Sequence, residues 1–245
     1  MALLNEFHQP QTLTEALWLL NQSGTRLVPL AGGTQLIGQL ETCATHELDG
    51  VVDLSKLGLT YIKVDDALLR IGATTTLTDV IEHQVSGALA DGILRKAAQG
   101  EGPVNFRNAA TVGGVVAAAE DDSEFYAALL ALDATVTLQA GEEARTTPLA
   151  QLASLTGLIT EVQIPLVEQH SGHARVARTP ADRPIVAAIA IIGANSERIA
   201  LCGVAQRPIL SSDPLDPPDN FKGSADYRRA MVNVVTQRAL SQVKG

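Results

Sequence analysis

The stretch that decides the fold is Pro29-Leu30-Ala31-Gly32-Gly33-Thr34-Gln35-Leu36. Arg26 to Leu30 reads as a short apolar strand, paired glycines break it, and Gln35 to Leu40 resumes a helical pattern. A second segment, Arg107-Asn108-Ala109-Ala110-Thr111-Val112-Gly113-Gly114, again sets Gly-Gly close to a Thr. Glycine accepts positive φ and lets a ligand approach the backbone, because no Cβ stands in the way. Successive N–H groups in such turns converge on an anion, and a following helix adds its positive end. Residues 28 to 40 and 108 to 119 contain no Lys or Arg. A phosphate held here would therefore rest on amides and on the Thr34 and Thr111 hydroxyls. Neither segment is a Walker A motif, since no Lys follows, and neither has the G-x-G-x-x-G of a dinucleotide turn. Tight turns with no ligand remain the alternative for either one taken alone.

Outward from these loops, Thr12 and Glu15 have capping-box spacing ahead of the apolar run Ala16, Leu17, Leu19, Leu20. Val51 to Leu54 reads as a strand, and Tyr61–Val64 with Leu68–Ile71 as a hairpin around Asp65-Asp66. Helices are expected near 77–83, 87–98 and 123–132, and Gly100 to Gly114 is a long stretch without period. Strands are expected at 135–138 and 158–164. Further strands near 174–178, 185–192 and 198–204 form a small three-stranded sheet. A Pro-rich linker covers 211–220, and a helix over 224–242 closes the chain. The break between a larger α+β region and this smaller one falls near Pro165 to Gly172.

Composition narrows the function. The chain has 245 residues, 46% hydrophobic and 18% charged, which suits an ordered globular protein. A net charge of -9 without a basic cluster argues against nucleic acid and anionic membranes as partners. Cys43 and Cys202 have no CxxC companions, so no zinc or iron–sulfur site is expected in this chain. The longest apolar run, Ile185 to Gly193, is too short to span a bilayer, and the expected location is cytoplasmic. The five histidines are scattered, and none falls in a glycine loop. No Ser/His/Asp or Cys/His constellation stands out. Asp121, Asp122 and Glu124 fit the acidic opening of a helix. Tyr227, Arg228 and Arg229 read as packing and solvated charge on the terminal helix.

Leu30 to Leu36, the run Arg107-Asn108 through Thr111-Val112-Gly113-Gly114 with Ser123-Glu124 and Ala128 to Ala134, and Gly223 to Arg229 together carry a resemblance. Asp53-Leu54-Ser55 and Ile71-Gly72-Ala73 extend it. The chain resembles the FAD-binding medium subunit of the carbon monoxide dehydrogenase and xanthine dehydrogenase family of molybdenum hydroxylases. The resemblance implies an α+β fold: a two-subdomain FAD-binding region of the vanillyl-alcohol-oxidase (PCMH) kind, over 1–54 and 55–166, then a small α+β domain over 167–245. It implies that Ala31, Gly32, Gly33, Thr34 and Gln35 bind the FAD pyrophosphate through main-chain N–H groups, with Leu30 beside them in the cofactor site. Thr111 and Gly114 would lie on the flavin side, Gly113 and Val115 would share that part of the cofactor site, and Ile159 would sit over the ring. Glu124, where the family usually has Asp, would serve the ribose or adenine end. Val115 stands where the family usually has Asn, Asp121 where Pro is common, and 208–220 is shorter than usual. An electron-transfer oxidoreductase subunit follows. Its partners would be a large molybdopterin-binding subunit, a small 2Fe-2S subunit and an acceptor such as NAD, a quinone or oxygen. Two alternatives stand beside it: a scaffold subunit that has lost FAD, and a stand-alone FAD-dependent oxidoreductase.

Overall fold

The computed structural model describes residues 4–41, 48–194 and 196–244; Cys43 and His46 lie outside them. The first unit holds β1 (Glu6–His8), α1 (Leu13–Leu20), β2 (Leu27–Leu30), α2 (Leu36–Glu41) and β3 (Gly50–Asp53). Its parallel sheet has the order β1-β3-β2. Pro29 is tolerated because β2 is an edge strand and need not donate outward. Thr12 caps α1 by accepting from the Glu15 N–H at 3.2 Å, while Glu15 Oε2 accepts from the Gln11 N–H at 3.0 Å, one residue outside the usual box. Ala16, Leu17 and Leu19 pack against Leu27, Val52 and Leu54.

The second unit opens with the hairpin β4 (Ile62–Asp65) and β5 (Leu68–Gly72). Helices α3 (Leu77–Glu82), α4 (Gln84–Ala88), α5 (Ile93–Gly100), α6 (Val104–Ala109), α7 (Val112–Ala118) and α8 (Glu124–Ala131) follow. Strands β6 (Thr135–Ala140), β7 (Glu143–Pro148) and β8 (Leu158–Pro165) complete a five-stranded sheet, β4-β5-β8-β6-β7. Its inward positions Leu69, Ile71, Val136, Val162 and Ile164 are fully buried, as period-2 alternation requires. Every residue of α8 is buried, so this helix runs through the core and not over it.

The last unit is the antiparallel sheet β9 (Gln169–Val176), β10 (Val186–Gly193), β11 (Ser196–Cys202) and α9 (Ala225–Lys244). The three expected strands pair as anticipated, and a two-residue strand, β12 (Ile209–Leu210), joins the β11 edge. Ala187, Ile189 and Ile191 of β10 join the core around α8, while Val186, Ala188 and Ala190 face α9. That double burial explains the continuous apolar run at 185–193. Among the described residues, no helix is long and apolar enough to cross a membrane.

The terminal helix settles the role of Arg228. It is fully buried, and its guanidinium donates to Ile185 O at 2.6 Å, Gly203 O at 2.8 Å and Asn220 Oδ1 at 3.0 Å. It pins the strand ends to α9, as the packing role implies.

Candidate cofactor-binding site

A groove with about 1070 Å3 of space, counting its open mouth, runs between the first unit and the second. It is lined by Leu30, Ala31, Gly32, Gly33, Thr34, Gln35, Thr111, Gly113, Gly114, Val115 and Ile159. Both glycine loops therefore face one space. They also touch: a Cβ on Gly32 would lie 1.8 Å from Ala109 O and 2.6 Å from its carbonyl carbon. Only glycine fits there.

The loops differ in what they offer. Around the first, the amides of Gly32, Gly33, Thr34, Gln35 and Leu36 make no hydrogen bond to the described residues. Gly33 takes φ +70°, which turns the chain into α2, whose first such bond runs from the Ile37 N–H to Gly33 O at 2.9 Å. These free donors crowd at the positive end of α2. The second loop corrects the expectation of a matching amide nest. Its Val112 N–H donates to Thr75 O, Gly113 N–H to Ala73 O and Val115 N–H to Thr111 O, each at 2.9 Å. The Gly114 N–H donates to Thr111 Oγ1 at 3.1 Å. All four amides are consumed by the fold. What this loop presents to the groove is the Thr111 hydroxyl, whose own proton stays free to donate, and the bare backbone of its glycines.

Glu124 is the further correction. It does not line the groove. Its carboxylate is 1% exposed and turned toward β9, with Oε1 2.5 Å from His173 Nε2 and Oε2 3.2 Å from Arg175 Nη1. The His173 ring and the Arg175 guanidinium on the neighbouring strand draw it inward. Glu120 and Ser123, just before α8, reach the groove in its place.

Sequence reasoning passed over a polar corner of the same groove. Arg183, in the β9–β10 connection, lines it together with Phe106 and Glu120. Its guanidinium lies 5.6 Å from the Phe106 ring centre and pairs with Glu101 Oε2 at 2.5 Å, Asp122 Oδ1 at 3.0 Å and Glu120. Burial works against this charge, yet Glu101, Glu120 and Asp122 outweigh it and push the Arg183 pKa up. Burial pushes the Glu101 carboxyl up, although Arg183, the Phe125 N–H and the Ser123 hydroxyl pull the other way. In sequence, Arg183 is one Arg in a polar Thr-Pro-Ala-Asp-Arg-Pro connection, and nothing local marks it.

The arrangement suits a ligand with a doubly anionic middle and a flat apolar part. Free amides and hydroxyls meet the anion, and no unpaired Lys or Arg lines the groove. Leu54, Val115, Leu158 and Ile159 supply apolar walls. FAD has this make-up, and the residues present fit it.

Comparison with known proteins agrees. Residues 4–167 match the family described as the FAD binding domain in molybdopterin dehydrogenase. The chain belongs to this family. It is an FAD-binding oxidoreductase subunit of the molybdenum hydroxylase type. The glyceraldehyde dehydrogenase medium chain of Sulfolobus acidocaldarius is 26% identical over 273 residues, covering 95% of this chain and 96% of that one. The nicotinate dehydrogenase FAD-subunit of Eubacterium barkeri is 31% identical over 184 residues, 69% of this chain and 61% of its own. Among solved structures, the reconstituted CO dehydrogenase from Oligotropha carboxidovorans superposes with a TM-score of 0.91 at 23% identity. That superposition covers 100% of this chain and 99% of the other, and it establishes the shared fold.

Proposed function

We propose that this chain relays electrons from a small partner subunit bearing 2Fe-2S clusters to an acceptor, by way of FAD seated in the groove. A large partner subunit would hold the molybdopterin cofactor and perform the substrate chemistry. Bound FAD supplies redox chemistry that no side chain of this protein can perform. The chain's residues bind and orient. The Gly32–Leu36 amides hold the diphosphate with the dipole of α2 behind them. The Thr34 and Thr111 hydroxyls add donors. Val115, Leu158 and Ile159 exclude water from the apolar part of the ligand.

The observation that carries this reading is the set of five amides with no hydrogen-bond partner among the described residues, beside a groove where the one described cation, Arg183, is already paired. Glu124 has no part in the groove, so ligand contacts at that end fall to Glu120 and Ser123. Titrating the purified chain with FAD tests the reading. Visible flavin bands and quenched flavin fluorescence are expected, and both should vanish in Gly33→Phe. A chain that binds no FAD would refute the assignment. Mixing the reduced protein separately with NAD, a quinone and oxygen, and following the return of the flavin bands, identifies the acceptor.

A further inference from the structure

Among the described residues beyond Pro165, Arg183 alone lines the groove. It meets three carboxylates brought from two places: Glu101 between α5 and α6, and Glu120 and Asp122 between α7 and α8. Glu101 and Asp122 are buried, so their charge cannot spread into water. One other cation shares the load, Lys222 Nζ at 2.5 Å from Asp122 Oδ2. The cluster thus sets three carboxylates against two cations beside the space proposed for an anionic diphosphate.

We propose that Arg183 is a positioning residue for FAD: it links the C-terminal sheet to the groove and neutralises the buried carboxylates that would otherwise repel the cofactor. This rests on the FAD reading above. Its consequence is a specific pH signature. Without Arg183, three carboxylates face Lys222 alone, and FAD binding weakens by about tenfold near neutral pH, as one uncompensated charge several Å away in a partly buried site implies. Burial holds the Glu101 carboxyl up, so lowering the pH protonates it and restores affinity. The surrounding charges do not mask this effect. Burial and the Asp122 charge push the Asp121 carboxyl up, against the pull of Lys222 and Arg228, and it does not line the groove. Glu124 pairs with Arg175 and sits against the His173 ring on β9. The Cys202 thiol on β11 is fully buried and pushed up by that burial, so it stays neutral.

The test is FAD affinity by quenching of flavin fluorescence, followed from neutral pH downward over the range in which the chain stays folded. The wild-type chain should be flat across this window. Arg183→Gln should be weakened at the high end and recover toward the low end, and Arg183→Lys should stay flat. Lys222→Gln, at the solvent edge of the cluster and off the groove, should show the same slope with smaller amplitude. It keeps the test open if Arg183→Gln does not fold. Binding of Arg183→Gln equal to wild type, or weakened equally at every pH, overturns the proposal. So does a flat Lys222→Gln profile where Arg183→Gln fails to fold. A wild-type chain that takes up no FAD overturns the cofactor reading itself, a separate and visible failure.

Discussion

Adding one methyl group at Gly32 should separate the two glycine loops and release FAD. The new Cβ would sit 1.8 Å from Ala109 O, against ordinary contact beyond 3.4 Å. The gap to be opened is therefore about 1.5 Å. The second loop will not give way. Its Ala110 N–H donates to Phe106 O at 2.7 Å, and Ala110 O accepts from the Leu77 N–H at 2.9 Å. The first loop must move instead, carrying its five free amides with it. Overpacking of this kind costs about 1–3 kcal/mol of stability. Misplacing even one hydrogen bond to a charged group costs a further 1.5–3 kcal/mol or so of binding, about tenfold or more in affinity. Two neighbouring glycines calibrate the result. Gly33→Ala forces φ +70° on an L-residue, but its Cβ meets only side-chain ends, Ile37 Cδ1 at 2.8 Å and Leu30 Cδ1 at 3.3 Å, so about 1 kcal/mol is expected. Gly38→Ala, inside α2, meets nothing within 4 Å and should stabilise the helix by about 0.5–1 kcal/mol. Urea unfolding with and without FAD reads both effects, because a bound ligand adds about 2.7 kcal/mol at a hundredfold excess over Kd. If Gly32→Ala unfolds and binds like Gly38→Ala, the two loops do not pack as described.

Away from the groove, Tyr61 donates to Glu161 Oε2 at 2.8 Å; burial, with that bond and the Glu161 charge behind it, pushes its pKa up to about 12. The unfolded chain releases this proton near the ordinary value of about 10, so stability should fall as pH rises from there to the folded value. Ultraviolet titration of phenolate checks the shift, and Glu161→Gln should lower it; an unmoved titration would count against the bond. Arg228→Met should cost about 3–5 kcal/mol, because the buried carbonyls of Ile185 and Gly203 lose their donor. An unchanged urea midpoint would refute the clamp.

The sequence revealed the elements that carry their own signal. Leu69, Ile71, Val162 and Ile164 alternate, and Ser123 and Thr12 cap helices where their spacing places them. What escaped was polar or was fixed from afar. Strand β7, Glu143–Pro148, is mostly exposed and has no apolar face to betray it. Helix α6, Val104–Ala109, buries no residue and lies in the stretch that read as aperiodic. The helix expected over 87–98 is cut at Ala90 and Asp91, which take φ of 46° and 56°. That break is held by Ser171, whose hydroxyl donates to Ala90 O at 2.7 Å and whose N–H donates to Asp91 Oδ2 at 3.0 Å. A clamp eighty positions away leaves no local trace. Arg183 escaped for the same reason, and Glu124 was misplaced because its partners, His173 and Arg175, lie on a strand nearly fifty residues later.

The two Gly-Gly-Thr loops carry this argument into the site. As strings they look alike, and amide donation was expected from both. Yet an amide is available to a ligand only if the fold leaves it unpaired, and that depends on what lies beside it. Beside the second loop runs the segment from Ala73 to Thr75, whose carbonyls take the Val112 and Gly113 N–H groups. Gly113 is glycine because a Cβ there would lie 2.7 Å from Ala73 Cβ, a packing reason. Beside the first loop lies the Ala109 carbonyl, but none of the Gly32–Leu36 amides donates to it or to any other described residue, and Gly32 is glycine because the second loop presses against it. One loop is tied to the segment that follows β5, and in doing so it becomes the wall against which the other loop's donors stay open.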